Sequence, residues 1–504
     1  AGKKLYLEFD FGGEALVKIN GKIIGAVSSE KNSGWLSRNQ VFFDAPVAGE
    51  VFEIELESAI DAGGFCNAAM NGEKTTTYTI STARLVAVDP ICEGYNFDIN
   101  VAWDSLESIV DEYIKARVYE AIDNSLHTVD FDFEDAQVRA SIKKAAAVLQ
   151  EELAKIKYLP QSDVVMTGHS HIDIAWLWRV QESERKAART FSNNLALMDE
   201  YPEFIFAQSQ AILYDMTKKL YPELYERIKD KVKNGQWDIV GNVWVEADTN
   251  IASGEALIRQ LLYGREYFKN EFGVVSDTYW LPDCFGFSWA LPQIIKRSGM
   301  KNFITAKLGG QDTNRFPHTI FRWKGNDGSE ILAHMQRVGY GGEYTGDTLR
   351  RAEKENDQKD VTSTAMGMFG YGDGGGGCTY AMVERGKRLK NFPGLPASKI
   401  GHVSDFFAKS WEAWERLPVF NNEMYYENHR GTYTSQAFVK KNNRRGEVLF
   451  SRAEMVSIFS NTETGHEYNK DKLEDGWKLL LKNQFHDTLA GTSVQEADED
   501  SRID

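Results

Sequence analysis

Between about residues 161 and 410 the chain alternates short apolar runs with longer amphipathic stretches, and this rhythm leaves few folds open. DVVMTGHSH, FIFAQS, WDIVGNVW, VVSDTYWLPD and FITAKL read as buried strands. QAILYDMTKKLYPELYERIKDKV, GEALIRQLLYGREYFKNEF and WALPQIIKRSG read as the helices between them. Strands separated by helices pair in parallel, with the helices on the faces of the sheet. The expected class is a multidomain α/β protein whose central domain, 161–410, is built on a parallel sheet. In such a sheet the polar residues that matter follow the carboxyl ends of the strands.

The flanks follow other periods. In residues 1–95, LYLEFDF alternates Leu5, Leu7 and Phe9 with Tyr6, Glu8 and Asp10. Asn20-Gly21 between ALVKI and KIIGAV is a two-residue hairpin signal, and VFEIELES and TTTYTISTARLVAV continue the β pattern. An N-terminal β-sandwich is expected. Residues 96–160 switch to helical spacing: SLESIVDEYIKARVYEAI sets Leu106, Ile109, Val110, Tyr113 and Ile114 on one stripe, and a second helix is expected from about 133 to 156. This segment reads as a helical connector. Residues 411–504 read mostly as helix, a helical-bundle domain, and end in the acidic stretch EADEDSRID.

Composition narrows the partners. Against 58 Lys and Arg stand 74 Asp and Glu, a formal charge of −16, which repels phosphate backbones and anionic bilayers. Nucleic acid and membranes are therefore not expected partners, and no apolar run approaches the ~18–20 residues of a bilayer span. The 12 Trp and 21 Tyr suit flat, partly apolar ligands such as sugar rings. Four cysteines, Cys66, Cys92, Cys284 and Cys378, are too scattered for a disulfide scaffold and contain no CxxC pair. The first residues lack the apolar core of a signal peptide, although a chain starting with Ala is open to having lost an upstream leader. A reducing, cytoplasmic setting is expected.

Four segments carry candidate chemistry. Gly168-His169-Ser170-His171-Ile172-Asp173 ends the first apolar run. His171 and Asp173, two apart, point to one side of an extended chain and form a competent pair of Zn²⁺ ligands; a solvated loop in which Asp173 caps a helix fits equally well. Asp283, in WLPDCFGFSW, suits a nucleophile, a metal ligand or a turn-forming Asp. Cys284 beside it has no base next to it in sequence and reads as packing. GYGDGGGG formally matches a dinucleotide loop, but Asp373 would point an anion at the pyrophosphate. A Gly-rich loop holding one carboxylate suits a general acid, or is a plain flexible loop. His486, in QFHDTLAGT, is alone in its segment.

Taken together these segments resemble glycoside hydrolase family 38, the zinc-dependent retaining α-mannosidases. HSHID with Trp176, WLPDCFG, GYGDGGGG and QFHDTLAGT occur in the family's order. NVWVEADTN, AKLGGQDTNRFPHTIFRWKGNDGSEILAHM and YENHRGTYTSQA are similar to its cytosolic and bacterial branch. The resemblance covers about 160–492. It implies that His171, Asp173, Asp283 and His486 bind zinc, that Asp283 is also the nucleophile, and that Asp373 is the acid/base. Trp176, Phe285 and Asp487 match positions that hold the mannose ring. Glu246, Asp248, Tyr433 and His429 are expected to wall the substrate, and His169 to stand one shell behind the metal. Two departures stand out: Phe485 replaces a second His of many members, and HIDIAW replaces HNDPGW. The implied activity is hydrolysis of terminal α-linked mannose from oligosaccharides through a covalent mannosyl-Asp283 intermediate. The implied assembly is a homo-oligomer. Family chains are normally much longer, so a C-terminally truncated chain is expected. The alternatives are a zinc-dependent sugar deacetylase using metal-bound water and a non-catalytic carbohydrate-binding protein.

Overall fold

The computed structural model describes residues 5–10, 13–28, 40–43, 46–59 and 79–503. Cys66 and the first residues of the TTTYTISTARLVAV run lie outside the described residues. Six strands form two small antiparallel sheets: β1 (Leu5–Asp10), β2 (Glu14–Ile19), β3 (Lys22–Ser28), β4 (Gln40–Phe43), β5 (Ile54–Ala59) and β6 (Thr82–Ala87). One sheet has the order β4-β1-β6 and the other β3-β2-β5. Asn20 and Gly21 both take positive φ, +49° and +76°, and close the β2–β3 hairpin, as the Asn-Gly pair requires. Phe9 and Ile24 each pack against apolar clusters drawn from both sheets. The other face of the second sheet, through Leu16, Ile23 and Ala26, joins the main core against the Val180–Glu200 helix.

The connector is helical over Pro90–Ser105, Glu112–Leu126 and Asp135–Ala154. The single stripe expected from 106 to 114 is broken. Leu106 and Ile109 are buried, but Val110 and Tyr113 are exposed. The helix restarts because the Asp111 carboxylate accepts the N–H groups of Tyr113 and Ile114, an N-cap inside the apolar pattern.

The central strands are β7 (Asp163–His169), β8 (Phe206–Gln208), β9 (Trp237–Ile239), β10 (Thr278–Trp280), β11 (Gly286–Phe287), β12 (Asn302–Thr305), β13 (Ile320–Lys324), β14 (Glu330–Met335), β15 (Thr364–Phe369), β16 (Ala397–Ile400), β17 (Val419–Phe420) and β18 (Met424–Tyr425). β15-β7-β8-β9 run parallel, with β16 also alongside β7. A second sheet follows the order β10-β12-β14-β13-β17. Its β10, β12 and β14 are parallel. β13 runs against β14 as a hairpin whose turn uses Gly328 at φ +84°. A backbone hydrogen bond from Gly241 to Thr278 ties the sheets at one side, and the Gly342–Gly370 bridge ties the segments after β14 and β15. Val165, Ala207, Ile304, Leu332 and Met366, one from each of five strands, share an apolar interior with Phe406 and Phe407 of the Val403–Trp411 helix. The strands therefore turn one face to a common core, and their carboxyl ends converge on one rim.

Two details differ from the sequence expectation. The long helix expected after FIFAQS is two, Ala211–Leu220 and Pro222–Lys233, because Pro222 has no N–H to continue the first and suits the start of the second. Pairing of β17 with β13 and of β18 with β11 carries sheet structure past residue 411, and the long helices begin at Ala437–Thr464.

Candidate active site

His171 and Asp173 follow β7, Asp283 follows β10, and His486 opens the short helix His486–Ala490. Four ligand atoms, one from each, lie within 4.8 Å of one another, and all four residues are buried. His171 Nε2 is 2.9 Å from Asp173 Oδ1, and His486 Nε2 is 3.5 Å from the same oxygen and 3.6 Å from Asp283 Oδ2. His486 Nδ1 donates to the Glu246 carbonyl at 2.8 Å, which leaves Nε2 buried and without a hydrogen-bond partner. An orphaned imidazole nitrogen facing two carboxylates fits a metal ion, and two nitrogen and two oxygen donors suit a tetrahedral site. The electrostatics agree. Burial alone would strip His171 and His486 of their protons, yet neighbouring groups, among them Glu246 and Asp173 beside His171, drive both well above the ordinary imidazole value. A divalent cation supplies the charge those protons would otherwise bring.

The remaining carboxyls are held in contrasting states. Burial would raise Asp283, but Lys307, whose ammonium is 2.7 Å from Oδ1, together with His486 and His171, holds it well below the usual carboxylate range. Asp373 is pushed up to about 6, first by burial and then by the charges of Asp283 and Asp173. The Tyr340 hydroxyl donates to Asp373 Oδ1 at 2.8 Å, and burial and the charges of Asp283 and Asp373 push that hydroxyl well above the ordinary tyrosine value. Asp487 is pushed up to about 7 by burial and then by Asp173, and Thr492 donates to its Oδ1.

Asp373 sits at φ +59°, a left-handed conformation that Asp tolerates better than most residues. Its loop is anchored at three points. The Asp173 N–H donates to the Asp373 carbonyl at 2.9 Å, the Gly376 N–H to Thr190 Oγ1 at 2.9 Å, and Tyr371 and Gly377 exchange backbone hydrogen bonds. The glycine run is a shaped loop.

Phe285 lies against the site, its ring 5.4 Å from that of His486 and 4.5 Å from that of His429. Trp176 is half-buried and edges onto Trp178. His169 is one layer out: Nδ1 donates to the Tyr340 carbonyl at 2.8 Å and Nε2 accepts from Trp280. Glu246 and Asp248, expected to wall the substrate, are both buried beside the cluster. Glu246 is wholly buried, with Oε1 accepting from Ser209 Oγ at 2.6 Å and Oε2 3.2 Å from His171 Nδ1. Asp248 Oδ1 accepts the N–H groups of Asn250 and Ile251 and shapes the turn. Tyr433 is more open, its hydroxyl accepting from Asn250 at 3.4 Å. Cys284 donates to the Ala247 carbonyl, and burial pushes its thiol up to about 11, as a packed rather than nucleophilic sulfur. Sequence reasoning missed Lys307, Tyr340 and Ser209. Lys307 and Ser209 closely follow the strands β12 and β8, so the rule that found Asp283 would have found them.

Fold and site define an α/β protein with a buried, metal-capable acid cluster at its strand ends. Residues 161–423 match the description "Glycosyl hydrolases family 38 N-terminal domain" and residues 427–503 "Alpha mannosidase middle domain". The chain belongs to glycosyl hydrolase family 38. It is 41% identical over 356 residues to "Alpha-mannosidase G" of Dictyostelium discoideum, covering 69% of this chain and 33% of that protein. It is 33% identical over 505 residues to "Alpha-mannosidase 2C1" of Mus musculus, covering 99% and 48%. The chain thus spans a third to about half the length of these relatives. Its fold is similar to that of a solved alpha-mannosidase from Enterococcus faecalis V583, with a TM-score of 0.59 and 21% identity over 68% of this chain and 40% of that one.

Proposed function

We propose that the chain is the catalytic part of a retaining, zinc-dependent α-mannosidase acting on terminal α-linked mannose of oligosaccharides in a cytoplasmic setting. The observation that supports this most is that Asp283 belongs to the metal-capable cluster and stands close enough to Asp373 for its charge to help raise that carboxyl. Retaining glycosidases need two carboxyls about 5–5.5 Å apart, one ionised and one protonated. Asp283, held anionic by Lys307, attacks the anomeric carbon and forms a glycosyl ester. Asp373, at about 6, keeps a protonated share near neutrality, gives that proton to the departing oxygen and then takes one from the water that cleaves the ester. His171, Asp173, Asp283 and His486 would hold the zinc, which would supply Lewis-acidic charge beside the sugar. Phe285 and Trp176 offer rings to the sugar, and Asp487 accepts a hydrogen bond from a sugar hydroxyl. The membership in family 38 and the two named relatives support the mannoside assignment.

The test is trapping with a 2-fluoro mannoside bearing a good leaving group. An adduct on the peptide containing Asp283, with retained anomeric configuration in turnover, is expected. Acetate release from acetylated sugars without an adduct would instead establish the deacetylase.

A further inference from the structure

Both histidines of the metal-capable cluster are backed by one residue that is not a ligand. The Glu246 carbonyl accepts from His486 Nδ1 at 2.8 Å, and the Glu246 carboxylate oxygen Oε2 lies 3.2 Å from His171 Nδ1. Among the described residues Oε2 and His171 Nδ1 are both buried and without a hydrogen-bond partner, and at 3.2 Å each is the charged neighbour the other faces. The remaining groups of Glu246 are tied down. Its Oε1 accepts from Ser209, and its N–H donates to Gln210 Oε1 at 3.1 Å. Gln210 holds a left-handed backbone, φ +62°, and its amide donates to the Ile172 carbonyl between the two ligands of the HID segment. A strained, fully buried glutamine bridging the 172 and 246 loops indicates that their relative position is fixed for a purpose.

We infer that Glu246 is the positioning residue of the metal site, orienting His171 with its side chain and His486 with its main chain so that both present Nε2 to the ion. The inference rests on the metal assignment under Proposed function and deepens it. An imidazole that donates Nδ1–H to a carboxylate is fixed in tautomer and ring orientation and is the more basic ligand. The charges are consistent: Asp173 and Asp283 neutralise a divalent cation, and the extra negative charge of Glu246 is offset by Lys307 across the site.

The test measures Zn²⁺ affinity of the full chain by competition with a chromophoric chelator, together with the visible absorption of the Co²⁺-loaded protein. Glu246→Gln keeps the shape but removes the charge, and it should weaken binding about 10- to 100-fold while leaving the melting point of the metal-free protein unchanged. The Co²⁺ bands should shift as the His171 ring is released. Ser209→Ala, which loosens the same carboxylate, guards against a Glu246 variant that fails to fold and should weaken binding by less than about tenfold. Affinities of the folded variants within about twofold of wild type, with unchanged Co²⁺ bands, would overturn the inference alone. A wild-type chain that binds no Zn²⁺ would overturn the metal assignment and this inference with it.

Discussion

Gly377 closes the loop that carries Asp373, and replacing it by Ala tests whether that loop positions an acid. Its φ of +72° costs an Ala about 1–2 kcal/mol. The added Cβ would lie 2.1 Å from Asn194 Nδ2. Asn194 is buried and committed, donating to the Thr190 carbonyl at 2.7 Å and accepting from the Cys378 N–H at 3.2 Å. Swinging it aside would break both of these buried hydrogen bonds, at a cost of about 1–3 kcal/mol, so the loop yields instead, by about 1 Å. Because Gly377 is hydrogen-bonded to Tyr371, the shift passes to Asp373 between them. A displacement of that size at a reacting group is worth roughly 100-fold, or about 2.7 kcal/mol of transition-state stabilisation. The assay compares kcat/KM for mannobiose, whose leaving oxygen needs a proton, with that for a dinitrophenyl mannoside, whose leaving group does not. Gly377→Ala should lose about 100-fold on the first and far less on the second. Equal losses on both substrates, or none on either, in a variant that stays folded would refute the reasoning.

Dialysis against a chelator should abolish mannoside hydrolysis and lower the thermal midpoint, with both restored by added Zn²⁺; full activity in metal-free protein counts against the site. Glu14→Gln removes the carboxylate shared by Lys186 and Arg189, both buried, at 3.1 and 2.8 Å, leaving Arg189 with Glu182 and Lys186 without that carboxylate. It should cost about 3 kcal/mol in denaturant unfolding, and Glu14→Leu with Lys186→Met should recover part of that loss. The same pair sets an acid sensitivity. Burial would raise Glu14, but Lys186 and Arg189 outweigh it and lower its carboxyl below 4.5, so this stabilisation is present above that pH and lost as pH falls through the folded value. In Glu14→Gln the stability difference from wild type should therefore shrink in acid. Tyr340→Phe, which deletes the 2.8 Å donor to Asp373, should lower kcat/KM for mannobiose more than for the dinitrophenyl mannoside.

Much of the fold was legible because helical and strand periods are local properties. The alternation across 161–410 shows up as β7, β8, β9, β10 and β12 with helices between them, and Asn20-Gly21 closes a hairpin where the dipeptide dictates one. What failed locally failed at punctuation. Asp111 caps a helix inside an apolar stripe, and Pro222 splits one long helix into two. The antiparallel β13 was not foreseen, since strand direction is decided by pairing.

The site divides in the same way. The chain alone supplied the chemical types at strand ends, His171, Asp173, Asp283 and Asp373, because a carboxylate or imidazole after an apolar run is visible one residue at a time. Read by itself the His486 segment offered one lone histidine, and its place beside the others came from the resemblance. The tertiary structure brings its ring, over 300 residues beyond His171, within reach of the same atoms, sets Lys307 against Asp283, raises Asp373 by burial and by the charges of Asp283 and Asp173, and turns Glu246 toward His171. Hydrogen bonds and charge shifts depend on distances of a few ångströms between segments far apart in the chain, and no local pattern of residues encodes those distances.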